Sequence, residues 1–227
     1  MFAPTIAKLS YVCERNQGTG ERSSPLHEKV SMFFTSRAKG PRWLVACLGN
    51  PGEQYRETRH NVGFLTADLL GQQWDTPVKR AKFSALTGIA LVGDEKVMIL
   101  KPQTYMNRSG DAVYMAMRSF QIPTERIIVV TDDTALEPGR LRIRRRGSPG
   151  GHNGLKSIGI RLRSEDFPRV KIGVGGPPHP DYDLADWVLS RPAGKDREAV
   201  QGAIANAAAA VEIIIRGGID AAMQRFN

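Results

Sequence analysis

The chain contains little cysteine and few aromatic side chains. Two of its 227 residues are cysteine, and 7% are Phe, Trp or Tyr. Cys47 lies within an apolar run and Cys13 within a polar stretch, so the sequence predicts neither a disulfide framework nor a thiolate metal site. This cysteine usage is typical of a reducing compartment, and we expect a cytoplasmic protein.

Signals of several common protein classes are also missing. No continuous apolar run reaches the roughly 18 residues of a membrane-spanning helix, so we expect no membrane association. No Gly-x-Ser-x-Gly sequence occurs, which argues against an esterase with a serine nucleophile elbow. The loop after the first predicted strand is too long for a P-loop and lacks the glycine spacing of a dinucleotide-binding fingerprint.

Length and charge favour one basic domain. A chain of 227 residues fits a domain of ordinary size with a full hydrophobic core, together with some unstructured sequence. The formal net charge of +9 indicates an anionic partner. Nucleic acid suits that charge better than a membrane surface, although charge alone identifies neither.

Residues 1–40 differ in composition from the rest of the chain. They mix glycine, serine and proline with scattered charges and have no sustained apolar period, so they cannot bury enough surface to offset the entropy of ordering. We predict a disordered N-terminal extension at 1–40 and a catalytic domain at 41–227. No compact apolar core follows a basic start, which excludes a secretory signal, whereas a transit peptide or a start at Met32 stays open.

Apolar periodicity predicts alternating strands and helices. Residues 43–48 form an apolar run ended by Gly49, Asn50 and Pro51, which predicts a buried strand and a turn. A helix is expected from about Asn61, a residue typical of helix N-caps. The other predicted strands lie at 85–91, 97–100, 127–130, 140–144 and 170–174, and the other helices begin at Ser109 and Leu155 or span 195–216. A hairpin beside a central parallel strand predicts a mixed sheet.

Polar residues collect where predicted strands end or helices begin. They are Asn50, His60 and Asn61 after the first strand, Asn107 before a helix, and Asp132, His152 and Asn153 further along. An aspartate that accepts a hydrogen bond from one imidazole nitrogen makes the other nitrogen more basic, so His60 can take a proton from water. Asparagine amides can donate to a developing oxyanion or orient a peptide carbonyl. This chemistry is water attack without a covalent nucleophile.

Each of these residues also has a simpler explanation. A histidine at a helix start is commonly a surface or capping residue, an aspartate at a strand end can cap a turn, and asparagine is frequent at turns. A metal site formed by His60, Asp132 and His152 is conceivable, although no tight ligand spacing supports it. Both alternatives stay open on the residues alone.

Residues 140–144 alternate between arginine and apolar side chains. As a strand, this segment places Arg140, Arg142 and Arg144 on one face and Leu141 and Ile143 on the other. The arginine face suits an RNA backbone, but charged edge strands also occur because they prevent aggregation.

Four motifs together resemble those of bacterial-type peptidyl-tRNA hydrolases. They are Gly49-Asn50-Pro51-Gly52 with Tyr55 and Thr58-Arg59-His60-Asn61, then Tyr105-Met106-Asn107-Arg108-Ser109-Gly110, then Asp132-Asp133 with Pro138-Gly139, and finally Gly150-Gly151-His152-Asn153-Gly154-Leu155-Lys156. Their order and spacing match from about Trp43 to the C-terminus. Each motif is weakly informative by itself, whereas four in register are highly specific.

The resemblance implies a fold and a set of roles. The fold is a single α/β domain in which a mixed, twisted sheet lies between helices in three layers. The implied base is His60, held by Asp132. The implied substrate contacts are Asn50, Tyr55, Tyr105, Asn107 and Asn153, and the residues that would hold a tRNA phosphate are Arg142, Arg144 and Lys171.

The implied activity is hydrolysis of the ester between a peptide and the terminal ribose of tRNA, which recycles tRNA from stalled translation. The ester is already activated, so we expect no metal ion and no organic cofactor. The implied partner is peptidyl-tRNA, through its acceptor stem and 3′ end, and we expect a monomer with no obligate protein partner. The alternative is a non-catalytic RNA-binding relative of the same fold, which nothing in the predicted site supports because every expected polar residue is present.

Several positions depart from the usual pattern of the family. Thr131 stands where a histidine or similar residue commonly precedes the aspartate, and Asp133-Thr134 stands where Glu-Leu commonly follows it. The shape of that loop is therefore open. Lys171 replaces a frequent arginine and offers a point charge in place of a guanidinium fork.

Overall fold

The computed structural model describes residues 40–227, and the prediction of a disordered extension therefore lies almost entirely outside the described residues. The strands are β1 (Trp43–Cys47), β2 (Arg80–Lys82), β3 (Ala85–Val92), β4 (Glu95–Pro102), β5 (Ile127–Asp133), β6 (Leu141–Arg144) and β7 (Arg169–Gly173). They form one seven-stranded sheet in the order β2-β3-β4-β1-β5-β7-β6.

The centre of the sheet is parallel and its borders are antiparallel. Strand β1 pairs in parallel with β4 and β5, and β5 pairs in parallel with β7. The pairs β2–β3, β3–β4 and β6–β7 are antiparallel. Strands β1 and β5 are nearly continuous apolar runs because parallel strands in such a sheet are buried on both faces. The prediction of a mixed sheet is confirmed.

Helices cover both faces of the sheet. They are α1 (Val62–Gln73), α2 (Ser109–Phe120), α3 (Asn153–Leu162), α4 (Leu184–Leu189), α5 (Gly194–Gly217) and α6 (Ile219–Phe226). One buried apolar cluster joins the sheet to α1, α5 and α6, and the other joins it to α2 and α3. Alternate residues of β1 enter alternate clusters, since Val45 belongs to the first and Leu44 to the second. The result is the expected three-layer α/β fold.

Helix α5 is long and apolar enough to cross a membrane by length and composition alone. Half of its apolar window is buried inside the protein, however, and its buried residues belong to the first apolar cluster. Gln201, Asn206 and Glu212 interrupt its apolar residues, which is why no unbroken apolar run of that length occurs in the sequence. We interpret α5 as a core helix of the domain.

Some elements differ from the sequence-based predictions. The short elements β2 and α4 and the final helix α6 were not predicted, and β5 extends three residues further than expected, through Asp133. The prediction that Arg140 belongs to the arginine strand is wrong. Its N–H donates to Glu137 O at 3.1 Å and its carbonyl accepts from Gly173 N at 2.8 Å, so Arg140 lies in the turn before β6.

This topology brings the polar motifs together. The carboxyl ends of β1, β4 and β5 meet at one edge of the sheet, and each is followed by a loop that carries one of the motifs. Helix α1 starts close to the end of β1, because a Cβ atom at Gly63 would lie only 2.3 Å from Leu48 O. Such an edge is the usual position of sites in α/β folds.

Candidate active site

A buried histidine and a buried aspartate meet at this edge. His60 lies in a short 3₁₀ helix (Arg59–Asn61) before α1, and Asp132 lies near the end of β5. The Nδ1 atom of His60 is 2.9 Å from each carboxylate oxygen of Asp132. With Nδ1–H donating to the carboxylate, Nε2 is left with its lone pair. His60 also lines a cavity of about 500 Å³, so an imidazole nitrogen with a lone pair and an open space occur together.

A second histidine contacts the same carboxylate. The Nδ1 atom of His152 accepts hydrogen bonds from Gly154 N and Leu155 N, at 3.1 and 3.3 Å, and so caps helix α3. Because Nδ1 uses its lone pair in this way, the neutral ring carries its hydrogen on Nε2. That nitrogen lies 3.0 Å from Asp132 Oδ1 and 2.6 Å from Thr131 Oγ1. Thr131, the departure from the family pattern, therefore joins the network.

The aspartate is strongly biased toward its ionised form. Burial by itself would raise the pKa of Asp132, because a charge is poorly solvated in the interior. The imidazoles of His152 and His60 outweigh burial through their charge and hydrogen bonds, and they hold the pKa of this carboxyl well below its usual range. Asp132 therefore stays a hydrogen-bond acceptor that fixes both rings.

Two asparagines lock the loop after β1. The N–H of Asn50 donates to Asn61 Oδ1 at 2.8 Å, and Asn61 Nδ2 donates to Asn50 O at 3.0 Å. Asn61 occupies the N-cap position of α1, as predicted, but its side chain makes no capping bond because the amide is used in these two contacts. Asn50 Oδ1 accepts from Met106 N at 2.8 Å, so among the described hydrogen bonds its Nδ2 group is left available to a substrate in the cavity.

The segment before α2 contains backbone strain. Tyr105 has φ 57° and ψ 163°, a combination that glycine adopts readily and that costs other residues about 1–3 kcal/mol. Its side chain is 54% exposed and lines the cavity. The strained peptide is held by the Met106 N–H bond to Asn50 and by a bond from Thr104 Oγ1 to Arg108 O. Tyr105 and Asn107, on either side of Met106, both line the cavity.

Most of the predicted site residues line one cavity. Those found there are Asn50, His60, Tyr105, Asn107, Asp132, Asn153 and Lys171. Tyr55, Arg142 and Arg144 are not among the lining residues. Tyr55 lies in a separate 3₁₀ turn (Glu53–Tyr55), where its carbonyl accepts from Thr58. Most of the predicted residues thus form one cluster around the cavity, and of the three phosphate-binding candidates Lys171 lies in its wall while Arg142 and Arg144 lie outside it.

Several lining residues were not assigned a role from the sequence. They are Met106, Asp133, Thr134, Pro149, Gly150, Gly151, His152, Leu184, Ala185, Val188 and Leu189. The capping role of His152 had a signal, because this histidine directly precedes a predicted helix. No sequence signal indicated the wall formed by α4, because Leu184 and Val188 are brought to the cavity only by the tertiary fold.

Lys171 connects the cavity with the arginine strand. It lies opposite Arg142 in the β6–β7 pair, so both side chains project from the same face. Its Nζ atom is 2.9 Å from Asp133 Oδ2, which occupies one of its three donors. Arg142 and Arg144 are exposed on that face. The basic surface thus begins at the cavity and continues outward to the edge of the sheet.

The histidines and the aspartate also have the composition of a metal site, since their ligand atoms lie within 4.8 Å of one another. The hydrogen-bond pattern fits protons better than a metal. A metal on His152 Nε2 would require that nitrogen to lose its hydrogen while Nδ1 still accepts from the α3 backbone, which leaves an imidazolate. The arrangement therefore favours acid–base chemistry.

Comparisons with known proteins agree on one family. A family model described as peptidyl-tRNA hydrolase matches residues 44–227. The chain is similar to a peptidyl-tRNA hydrolase of Caldanaerobacter subterraneus, with 50% identity over 185 residues that cover 82% of this chain and 99% of the relative. A relative of the same name from Caldicellulosiruptor saccharolyticus is 44% identical, over 82% of this chain and 96% of its own length.

A solved structure gives the same result. The crystal structure of peptidyl-tRNA hydrolase from Acinetobacter baumannii superposes with a TM-score of 0.76 at 33% sequence identity. The match covers 81% of this chain and 93% of that protein. The likeness therefore extends over nearly all of the described fold.

Proposed function

The chain belongs to the peptidyl-tRNA hydrolase family and hydrolyses the ester bond of peptidyl-tRNA, and we propose that His60 performs this reaction as a general base on water. The observation that carries the proposal is the contact between His60 Nδ1 and Asp132 in the wall of the cavity. This contact aims a basic nitrogen at the space where an ester can bind. Released tRNA would then return to translation.

The reaction needs one proton acceptor and one site for negative charge. His60 Nε2 takes a proton from water while the water oxygen attacks the ester carbonyl carbon, and the carbonyl oxygen becomes an oxyanion. The tetrahedral intermediate then collapses, the bond to the ribose oxygen breaks, and His60 returns the proton to that oxygen. Asp132, whose pKa the two imidazoles hold below its usual range, remains ionised and stabilises the imidazolium between these steps.

Asparagine amides supply the complementary polar groups. Asn50 is fixed by three hydrogen bonds that leave its Nδ2 group free to donate to the oxyanion or a peptide carbonyl. Asn107 and Asn153 line the same cavity and can orient the substrate and the water. Tyr105 adds an exposed aromatic ring at the cavity, and Tyr55 would contact the substrate outside it.

The tRNA body would bind along the basic surface. Arg142 and Arg144 offer guanidinium forks to a phosphate of the acceptor stem, and Lys171 offers a charge between that phosphate and the cavity. We further propose that the enzyme acts as a cytoplasmic monomer, with residues 41–227 as the catalytic domain and 1–40 dispensable for catalysis.

The decisive experiment is release of free tRNA from an N-acylated aminoacyl-tRNA by the purified protein. We expect multiple turnovers in the wild type and a large loss in His60→Ala. Acid-quenched enzyme should show no acyl adduct by intact mass, because water attacks directly. A protein that binds the substrate without releasing tRNA would be the non-catalytic RNA-binding relative, and a trapped acyl-enzyme would replace the general-base mechanism.

A further inference from the structure

Arg169 is a charged side chain deep inside the domain. It is 2% exposed and lies at the start of β7. Its Nη1 atom donates to the carbonyl oxygens of Gly147 and Ser148, the latter at 2.9 Å, and its Nη2 atom donates to Glu165 O at 2.9 Å. The guanidinium carbon lies 4.4 Å from the ring centre of Phe167. Its described hydrogen bonds therefore all go to main-chain carbonyls and none to a carboxylate.

Burial of this charge costs free energy of folding unless specific interactions compensate for the lost solvation. A charged group removed from water loses solvation that carbonyl dipoles only partly replace, and a core position in a strand would be filled more favourably by an apolar side chain. The Nε atom of Arg169 is also buried without a hydrogen-bond partner among the described residues. The distinctive contribution of this guanidinium is its fork, which reaches three carbonyl groups from two separate segments.

Two of those carbonyls belong to the loop 147–151, a glycine-rich part of the connection between β6 and α3. Glycines occupy positions 147, 150 and 151, and each has a positive φ, of 151°, 58° and 80°. Glycines restrict the backbone less than any other residue. The loop has few fixed points of its own, the described one being a bond from His152 N to Pro149 O at 3.1 Å.

The other end of the loop carries active-site groups. Pro149, Gly150 and Gly151 line the cavity, and the loop leads directly into His152, which contacts Asp132, and Asn153. A shift of the loop would therefore move a hydrogen bond to the catalytic carboxylate and a substrate amide together. Misplacement of such groups by about 1 Å can cost roughly 10²-fold in rate.

We propose that Arg169 is a positioning residue of the hydrolase, whose buried guanidinium anchors the loop 147–151 and thereby sets the places of His152 and Asn153. This inference rests on the proposed function. Arg169 does not touch the cavity, so it acts through the loop and not on the substrate.

The test is Arg169→Lys, which keeps the charge but cannot reach three carbonyls at once. We expect kcat for peptidyl-tRNA to fall about 10- to 100-fold, while KM changes by no more than a few fold. Arg161→Lys is the matched control, because Arg161 pairs with Asp111 on the exposed side of α3. This control should keep the wild-type kcat.

Chemical rescue separates positioning from general stability. In Arg169→Ala, guanidinium chloride at a concentration below its denaturing range should raise kcat, whereas equal sodium chloride or urea should not. If Arg169→Ala does not fold, Arg169→Lys decides alone. Wild-type kcat in Arg169→Lys, or a folded alanine variant whose lost activity guanidinium fails to restore, would overturn the inference. Failure of the proposed function is a different result, because the wild type itself would then release no tRNA.

Discussion

The cavity and the outer strand β6 belong to one sheet but hold their polar side chains in opposite ways. In the cavity, Asp132 is 3% exposed and accepts hydrogen bonds from two imidazoles. On β6, Arg142 and Arg144 are exposed, and the described hydrogen bond of Arg144 goes to its own neighbour, Ile143 O, at 3.2 Å. Hydrogen bonds within the protein hold the buried carboxylate of Asp132, whereas the arginines of β6 are exposed to solvent.

This difference predicts two kinds of energetics. Interactions between buried groups such as Asp132 and the two histidines are stronger and less screened by salt than those of exposed groups, so we expect a large effect when one of these groups is removed. Exposed charges are screened, and each contributes little by itself. The cavity should therefore control kcat, whereas β6 should control affinity for tRNA and its dependence on salt.

The largest effect is expected at His60. Replacement by alanine removes the base, so kcat should fall by the roughly 10² to 10⁴ that a positioned general base provides. Affinity for tRNA should stay within a few fold, because the basic surface is untouched. His179→Ala is the matched control, since His179 is an exposed histidine outside the cavity lining. Near-normal turnover in His60→Ala would remove His60 from the mechanism.

Asp132→Asn should have the next largest effect. The amide can donate as well as accept, so it can hold either ring in the wrong tautomer and no longer stabilises the imidazolium. We expect a folded protein with reduced kcat and an altered pH dependence of kcat. An unchanged pH dependence would show that Asp132 does not orient His60.

The same variant tests the ionisation of Asp132 through stability. Because its folded-state pKa is depressed, Asp132 contributes stability in full above the unfolded pKa of about 3.9, and loses it as pH falls further. The difference in unfolding free energy between wild type and Asp132→Asn should therefore shrink below about pH 4. Denaturant titrations across that range provide the measurement, and a constant difference would contradict a depressed pKa.

The two regions also differed in how far the sequence could predict them. His60, Asp132 and the asparagines were found because the resemblance supplies roles for residues at strand ends. The pairing of Asn61 with the Asn50 backbone was not predicted, because the sequence does not show whether an asparagine side chain caps a helix or bonds to the backbone of a neighbouring loop. The α4 wall depends on contacts between distant segments, such as Arg59 with Ser190 across 131 positions.

For the outer strand β6, the alternation of arginine and apolar residues predicted the correct face for Arg142 and Arg144 but predicted a strand that was too long. The alternating pattern depends on side-chain type and carries no information on backbone hydrogen bonds. It therefore could not distinguish Arg140, which lies in the turn before β6, from a strand residue. Nothing in the sequence indicated that Lys171 would be paired with Asp133 at the cavity, because that contact joins two separate strands.

A smaller effect is expected from Arg142→Gln/Arg144→Gln. If both arginines bind phosphate, KM for the full tRNA substrate should rise, and the log-log salt dependence should lose about one unit per contact, or somewhat less. Hydrolysis of a short peptidyl-nucleotide should survive. Arg42→Gln/Arg126→Gln removes the same charge from residues that directly precede the central strands β1 and β5, and it should leave the slope unchanged. An unchanged slope in the first variant would leave its arginines as protection against aggregation.

The smallest effect concerns how the edge strand itself is held. Ile143 N donates to Asn227 Oδ1 at 2.7 Å, and Asn227 Nδ2 donates to Ile143 O at 3.2 Å, so this side-chain amide acts as a one-residue strand partner. Asn227→Ala should cost about 1 kcal/mol, or about 2–4 °C in Tm. Because Ile143 lies between Arg142 and Arg144, KM for tRNA should rise slightly, by less than in the double arginine variant, with kcat unchanged. Gln224→Ala, an exposed change in helix α6 three residues before Asn227, is the control. A normal Tm and KM in Asn227→Ala would mean that β6 keeps its arginines in place through its pairing with β7 alone. A fall in kcat would contradict the assignment of kcat to the cavity and of tRNA affinity to β6.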